Sequence, residues 1–266
     1  MSGREYIINT IRQIREARRI ALCGYFLVGY PSPKRFFSAV RSASRLDVLE
    51  FGIPSGCPLL DGPTIANAHA VTLGARGLDT ETALALTSGL VNIELPKFVM
   101  SYAEEIRSYA GFLDTCQRND IHGVFSPDID NKEAKGVSLQ SHSLGMAFVR
   151  FVDLSMTTAE IDSATLQSDI LYVRIGTSCT GTTAQLCDVQ CLQLCEVIRR
   201  ARLNNPQIIV AGGIGIRHPS QVVNLACMGV DMAVVGTVLV EKVALGAEEL
   251  SCKVDELRQA AQSVSA

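Results

Sequence analysis

The residues of this chain best suited to chemistry are two carboxylates on one short segment, Leu49-Glu50-Phe51-Gly52-Ile53-Pro54-Ser55-Gly56-Cys57-Pro58-Leu59-Leu60-Asp61-Gly62-Pro63-Thr64-Ile65. Glu50 ends an apolar run with strand character, and Asp61 lies in the loop that follows. Two acids in different surroundings take different protonation states at neutral pH, which suits them to divide general acid and base work. The plainer alternatives are an inward Glu50 paired with an arginine and an Asp61 that merely turns the chain or caps a helix ahead of Pro63.

A second set of residues suits an anion. The glycine clusters Ala211-Gly212-Gly213-Ile214-Gly215-Ile216 and Val235-Gly236-Thr237 each follow a short apolar run, and Cys179-Thr180-Gly181-Thr182 forms a third. Glycine lets backbone N–H groups approach a phosphate closely, and a helix starting just beyond adds its positive end. No metal is indicated, because none of the 4 histidines has a second His or Cys at ligand spacing. The 9 cysteines fall within regular elements and not in loops, which fits a reducing compartment. Cys187, Cys191 and Cys195 recur every fourth residue beside Leu194 and Ile198, and are expected to face the core.

The elements that must position these groups alternate along the whole chain. Strands are expected at Ala21–Val28, Val48–Gly52, Lys97–Tyr102, Gly123–Pro127, Ala147–Leu154, Leu171–Ile175, Gln207–Ala211 and Met232–Val235. Helix starts are marked by Ser32-Pro33, by Thr158 ahead of Ala159-Glu160-Ile161, by Thr183 and by His218-Pro219. Eight strands each followed by a helix predict an α/β fold, a closed (β/α)8 TIM barrel, in one domain over residues 1–266. Residues 1–19 carry Ile8, Ile11 and Ile14 at helical spacing, an extra covering helix and not a signal peptide. A net charge of −3 argues against nucleic acid, and no apolar run approaches the roughly 20 residues of a membrane span. A cytoplasmic protein is expected.

These residues resemble the tryptophan synthase alpha chain family. The Glu-Phe-Gly-Ile-Pro start and Asp-Gly-Pro-Thr-Ile-Ala-Asn end of the segment from Leu49 to Asn67 carry the likeness, joined by Gly29 and Pro31, Met100-Ser101-Tyr102, Thr157-Thr158, Tyr172, Thr180-Gly181 and the late glycines. The resemblance implies a cofactor-free lyase that cleaves indole-3-glycerol phosphate into indole and glyceraldehyde 3-phosphate. By position it implies Glu50 as the acid/base and Asp61 as its partner at the indole nitrogen. It further implies Tyr102, Phe125 and Tyr172 at the substrate, and Gly181, Gly213, Gly215, Gly236 and Thr237 at the phosphate.

The departures from that pattern fall in two places. Asp153 and Arg174 stand where the family carries apolar side chains, and alternation along a strand turns both toward the barrel mouth as substrate-facing residues. Leu27 replaces a threonine, and Phe125 and Pro127 fill the fourth strand end. At the surface where the family docks a beta chain, Cys57, Tyr30, Glu104 and Asp130 replace the usual residues, and Gly176-Thr177-Ser178-Cys179 lacks an arginine. Dependence on a beta chain is therefore expected to be weakened, leaving a monomer or homodimer. Three readings follow: the indole-3-glycerol phosphate lyase, a specialised paralogue acting on a more polar phosphorylated substrate gripped by Arg174, and a phosphate-binding subunit with reduced turnover. Whether Asp153 and Arg174 pair with each other separates the first two.

Overall fold

The computed structural model describes residues 1–175, 187–213 and 215–263. Eight parallel strands, β1 (Ala21–Leu27), β2 (Val48–Gly52), β3 (Lys97–Met100), β4 (Gly123–Phe125), β5 (Ala147–Asp153), β6 (Ile170–Arg174), β7 (Ile209–Gly213) and β8 (Met232–Val235), close in sequence order into a barrel. The helices are α1 (Gly3–Glu16), α2 (Pro33–Ser42), α3 (Pro63–Arg76), α4 (Thr80–Thr87), α5 (Ala103–Ser108), α6 (Phe112–Arg118), α7 (Asn131–Ser143), α8 (Thr158–Leu166), α9 (Asp188–Asn204), α10 (Pro219–Cys227), α11 (Thr237–Leu245) and α12 (Ala247–Ser263). This is the expected (β/α)8 barrel with its additional N-terminal helix.

Local chemistry explains most helix starts. Ser32 caps α2 with Pro33 at the first helical position, and His218 precedes Pro219 in the same way at α10. At α8 the cap is Thr157 and not Thr158, because Thr157 and Glu160 form a reciprocal capping box. Thr183, expected to open the cysteine helix, lies outside the described residues; α9 follows Cys187.

The barrel is closed at its lower end by a repeated clamp. The residue just before each even strand donates its N–H to a carbonyl on the preceding odd strand and accepts that residue's N–H on its own side chain. The pairs are Asp47 with Leu22, His122 with Lys97, Asp169 with Phe148, and Asp231 with Val210. Each clamp satisfies backbone groups that the ladder leaves over and locks the register of two strands. The anchors are themselves held: Asp47 by Arg258, Asp169 by Arg4 and His142, and Asp231 by Arg202 and Arg15. Arg4 and Arg15 belong to α1, so the covering helix is tied to the clamps by charge. It is seated by Ile7, Ile11 and Ile14, which pack with Ala21, Cys23, Val48 and Phe98 inside the barrel. Ile7 thus replaces the expected Ile8, which is only half-buried.

Three residues beyond each clamp the chain reaches the layer that matters for function. The odd strands contribute Tyr25, Met100, Phe151 and Gly213, the even strands Glu50, Phe125, Tyr172 and Val234, and all but Gly213 line one cavity. A barrel interior built from layers of alternate strands gives this arrangement.

Two further expectations are corrected. The seventh strand runs two residues later than expected, because Gly212 and Gly213 belong to the strand and not to a loop. A Cβ on Gly212 would come within 2.6 Å of Ile175 Cδ1, so the glycines are required by packing. The cysteines of α9 do not face the core: Cys187 and Cys195 are exposed and Cys191 is half-buried, while Leu194, Val197, Ile198 and Ala201 form the buried face. Strict steps of four advance about 40° around a helix each time and drift off a face. Steps alternating three and four hold it.

Candidate active site

The cavity opens at the carboxyl ends of the strands and is lined mostly by apolar and aromatic side chains with a few polar groups among them, as small-molecule sites are. Glu50 lies in its floor, 3% exposed, with Oε2 lacking a hydrogen-bond partner among the described residues. No arginine pairs with it among the described residues, so the structural alternative for this acid does not hold. Burial, reinforced by the negative charge of Asp61, pushes the Glu50 carboxyl up to about 8, and the group carries its proton at neutral pH.

Asp61 also lines the cavity but is held differently. The Tyr102 hydroxyl donates to its Oδ2 at 2.8 Å, and His69 Nε2 lies 3.4 Å from the same oxygen. Asp61 does not cap α3; Gly62 takes that position, with Pro63 opening the helix. Tyr102, expected at the substrate, is 2% exposed behind the cavity wall, accepting the Leu60 N–H at 3.2 Å while it donates to Asp61. Burial and the Asp61 charge push its hydroxyl well above the usual tyrosine range, so it stays a donor. His69 was not singled out by sequence reasoning. Its only signal is its place on α3, two turns after Asp61.

Two tyrosines that line the cavity have equivalent settings. Tyr25 on β1 leans over Gly52 of β2, and Tyr172 on β6 leans over Gly213 of β7. A Cβ on either glycine would overlap the hydroxyl above it. Gly213 therefore serves here by making room for Tyr172 and does not line the cavity. Tyr172 stacks on Phe125 with centroids 5.1 Å apart, and Phe151 completes an aromatic wall at 5.8 Å from Tyr172. Pro127 lines the same side, whereas Leu27 does not line the cavity and packs with Ile65 and Val240.

Opposite the aromatic wall the cavity is lined by Gly215, Gly236 and Thr237. Gly215 has φ +80°, a conformation suited to glycine, and Gly236 precedes the first turn of α11 with no side chain capping it. That helix start presents N–H groups and the positive end of a dipole to the cavity, a setting for a phosphate. Gly181 lies outside the described residues.

Asp153 and Arg174 meet at the rim. They are register partners on β5 and β6, and Arg174 Nε donates to Asp153 Oδ2 at 2.5 Å. The guanidinium also lies 5.9 Å from the Phe151 ring centroid. Burial opposes ionisation of Asp153, but the Ser155 N–H and the Arg174 charge outweigh it and hold the carboxyl below its usual range. The two charges neutralise each other above the aromatic wall and stay outside the lining of the cavity.

Fold and site together define a (β/α)8 barrel that sets an acid pair, an aromatic wall and an anion-ready helix start around one cavity. The sequence profile of the tryptophan synthase alpha chain matches residues 11–266. The tryptophan synthase alpha chain of Rippkaea orientalis is 27% identical, over 93% of this chain and 92% of that protein. That of Methanosarcina acetivorans is 28% identical, over 90% and 86%. Among solved structures, Mycobacterium tuberculosis tryptophan synthase superposes with a TM-score of 0.86 at 25% identity, covering 96% of this chain and 97% of that one. The chain belongs to the tryptophan synthase alpha chain family, a family of lyases.

Proposed function

We propose that this chain cleaves indole-3-glycerol phosphate into indole and glyceraldehyde 3-phosphate by a retro-aldol reaction that uses side chains alone. The observation that carries the reading is the contrast between the two acids: a Glu50 buried in the cavity floor with one oxygen unpartnered among the described residues, and an Asp61 held by the Tyr102 hydroxyl. Glu50 gives its proton to the ring carbon bearing the glycerol chain, while Asp61 steadies the positive charge that develops on the ring N–H. The hydroxyl on the adjacent chain carbon then returns a proton to Glu50 as its oxygen becomes the aldehyde. The carbon–carbon bond breaks, and its electrons restore the aromatic ring. The phosphate is anchored by Gly215, Gly236 and Thr237 at the start of α11, with Gly181 a further contact.

The pairing of Asp153 with Arg174 supports indole as the leaving group over a more polar fragment, since neither charge is left to grip a ligand. Glu50 and Asp61 share one cavity, which supports turnover over phosphate binding alone. Activity without a beta chain is supported by the exposed residues at the family's docking surface. Asp130 is engaged in capping α7, accepting the Lys132 and Glu133 N–H groups at 2.8 Å, and Glu104 pairs with Arg107 at 3.1 Å. Incubating the purified chain with indole-3-glycerol phosphate and assaying indole, with and without an added beta chain, tests the reading. Indole release that the beta chain raises only slightly is expected, and absence of indole in both arms overturns it.

A further inference from the structure

His69 is enclosed, 1% exposed, on the inner side of α3. The Ser55 N–H donates to its Nδ1 at 2.8 Å, so Nδ1 bears no proton and a neutral ring carries its proton on Nε2. Among the described residues Nε2 has no hydrogen-bond partner within bonding geometry, and it lies 3.4 Å from Asp61 Oδ2. A buried N–H without an acceptor is costly, and the facing carboxylate is the group that can receive it with a small inward movement.

We propose that His69 is a positioning residue for Asp61. The inference rests on the reading of Asp61 as the group that meets the substrate's ring nitrogen. One imidazole sits between both ends of the loop from Ser55 to Asp61, bonded to the backbone of the first and facing the carboxylate of the second. Tyr102 and His69 approach the same Oδ2 from different elements, β3–α5 and α3, and together fix the plane of the carboxylate. An acid on a loop is thereby held as firmly as one on a strand, and its alignment is set before substrate arrives.

Two isosteres separate the bonds. In His69→Asn the amide oxygen can replace Nδ1 toward Ser55 but nothing reaches Asp61; in His69→Gln the amide nitrogen can replace Nε2 toward Asp61. We expect His69→Asn to keep the unfolding midpoint while kcat falls about ten- to a hundredfold with little change in KM, and His69→Gln to recover most of that loss. Independently of turnover, imidazole 15N spectra of the whole chain should show the Nε2–H tautomer, and Asp61→Asn should move the Nε2–H proton resonance upfield. A His69→Asn variant that turns over like the wild type, or a resonance indifferent to Asp61→Asn, overturns the proposal. If the wild-type chain releases no indole, the reaction assignment fails, and the spectra still decide whether His69 holds Asp61.

Discussion

The hydroxyl of Tyr25 occupies the space that a side chain on Gly52 would fill. The hydroxyl is buried, has no hydrogen-bond partner among the described residues, and is pushed well above the usual tyrosine range by burial first and then by Asp61 and Glu50. It is a fixed donor set among the acids, and its partner is expected to arrive with substrate, at the glycerol hydroxyl. Tyr25→Phe should therefore stabilise the free protein by about 1 kcal/mol in urea unfolding while raising KM several-fold. Loss of stability with unchanged KM would show that the hydroxyl serves packing alone. Gly52→Ala should instead displace the tyrosine ring and cost about 1–3 kcal/mol by overpacking.

The raised carboxyl of Glu50 gives a pH dependence with a definite sign. An unfolded glutamate titrates near 4.5 and the folded group near 8. Between those values the native protein holds a proton that the unfolded chain has released, so this contribution is full below the lower value and is lost as pH rises toward the upper one. The slope is about 1.4 kcal/mol per pH unit for one proton. Glu50→Gln should flatten that decline in urea titrations between pH 5 and 8, within roughly this magnitude. The same variant should lower kcat by about a hundred- to ten-thousandfold, and wild-type kcat/KM should stay level to about pH 8 and fall above it. A rising limb across that range would mean that the ionised acid is the reactive form.

Much of this site was legible in the sequence because strand phase is a local property. Asp47-Val48-Leu49-Glu50 and Asp169-Ile170-Leu171-Tyr172 share a pattern in which an anchor at the barrel foot sets a cavity residue three positions on, and His122-Gly123-Val124-Phe125 and Asp231-Met232-Ala233-Val234 repeat it. The family pattern singled out Glu50, Phe125 and Tyr172 by position, and all three line the cavity; alternation served only for Asp153 and Arg174, which reach the rim and not the lining. Contacts across elements were not legible. That Tyr102 reaches Asp61 from behind the wall, that His69 spans the loop, and that Gly213 yields its space to Tyr172 depend on distances between strands and helices that no spacing encodes.

The rim pair should behave as a unit. Asp153 and Arg174 are 16% and 23% exposed at their side chains, so removing one partner leaves a poorly solvated charge over the aromatic wall. Asp153→Asn and Arg174→Leu should each destabilise by about 1–2 kcal/mol, and the double variant by clearly less than the sum. Urea unfolding of the four proteins in a cycle measures the coupling. In indole assays Arg174→Leu should leave cleavage near the wild-type level or lower; a marked increase would identify the arginine as a device that disfavours the indole substrate.

The four clamps differ in one chemical respect that can be tested. Asp47, Asp169 and Asp231 offer carboxylates, whereas His122 offers the unprotonated Nδ1 of a ring packed edge-on against Tyr6 of α1, with centroids 5.0 Å apart. Burial lowers the His122 pKa, with the Lys97 charge acting in the same direction and the Asp120 carboxylate opposing, so the ring stays an acceptor at neutral pH. If the clamp is the reason for the residue, an acceptor of another kind should do. His122→Asn, whose amide oxygen can receive the Lys97 N–H, should cost about 1 kcal/mol or less, while His122→Ala strands that N–H and should cost about 2–3 kcal/mol. Equal losses in the two variants would assign the residue to ring packing on Tyr6 and leave the fourth clamp a coincidence of geometry. Because the clamp lies at the foot of the barrel, both variants should leave KM unchanged wherever the chain is fully folded.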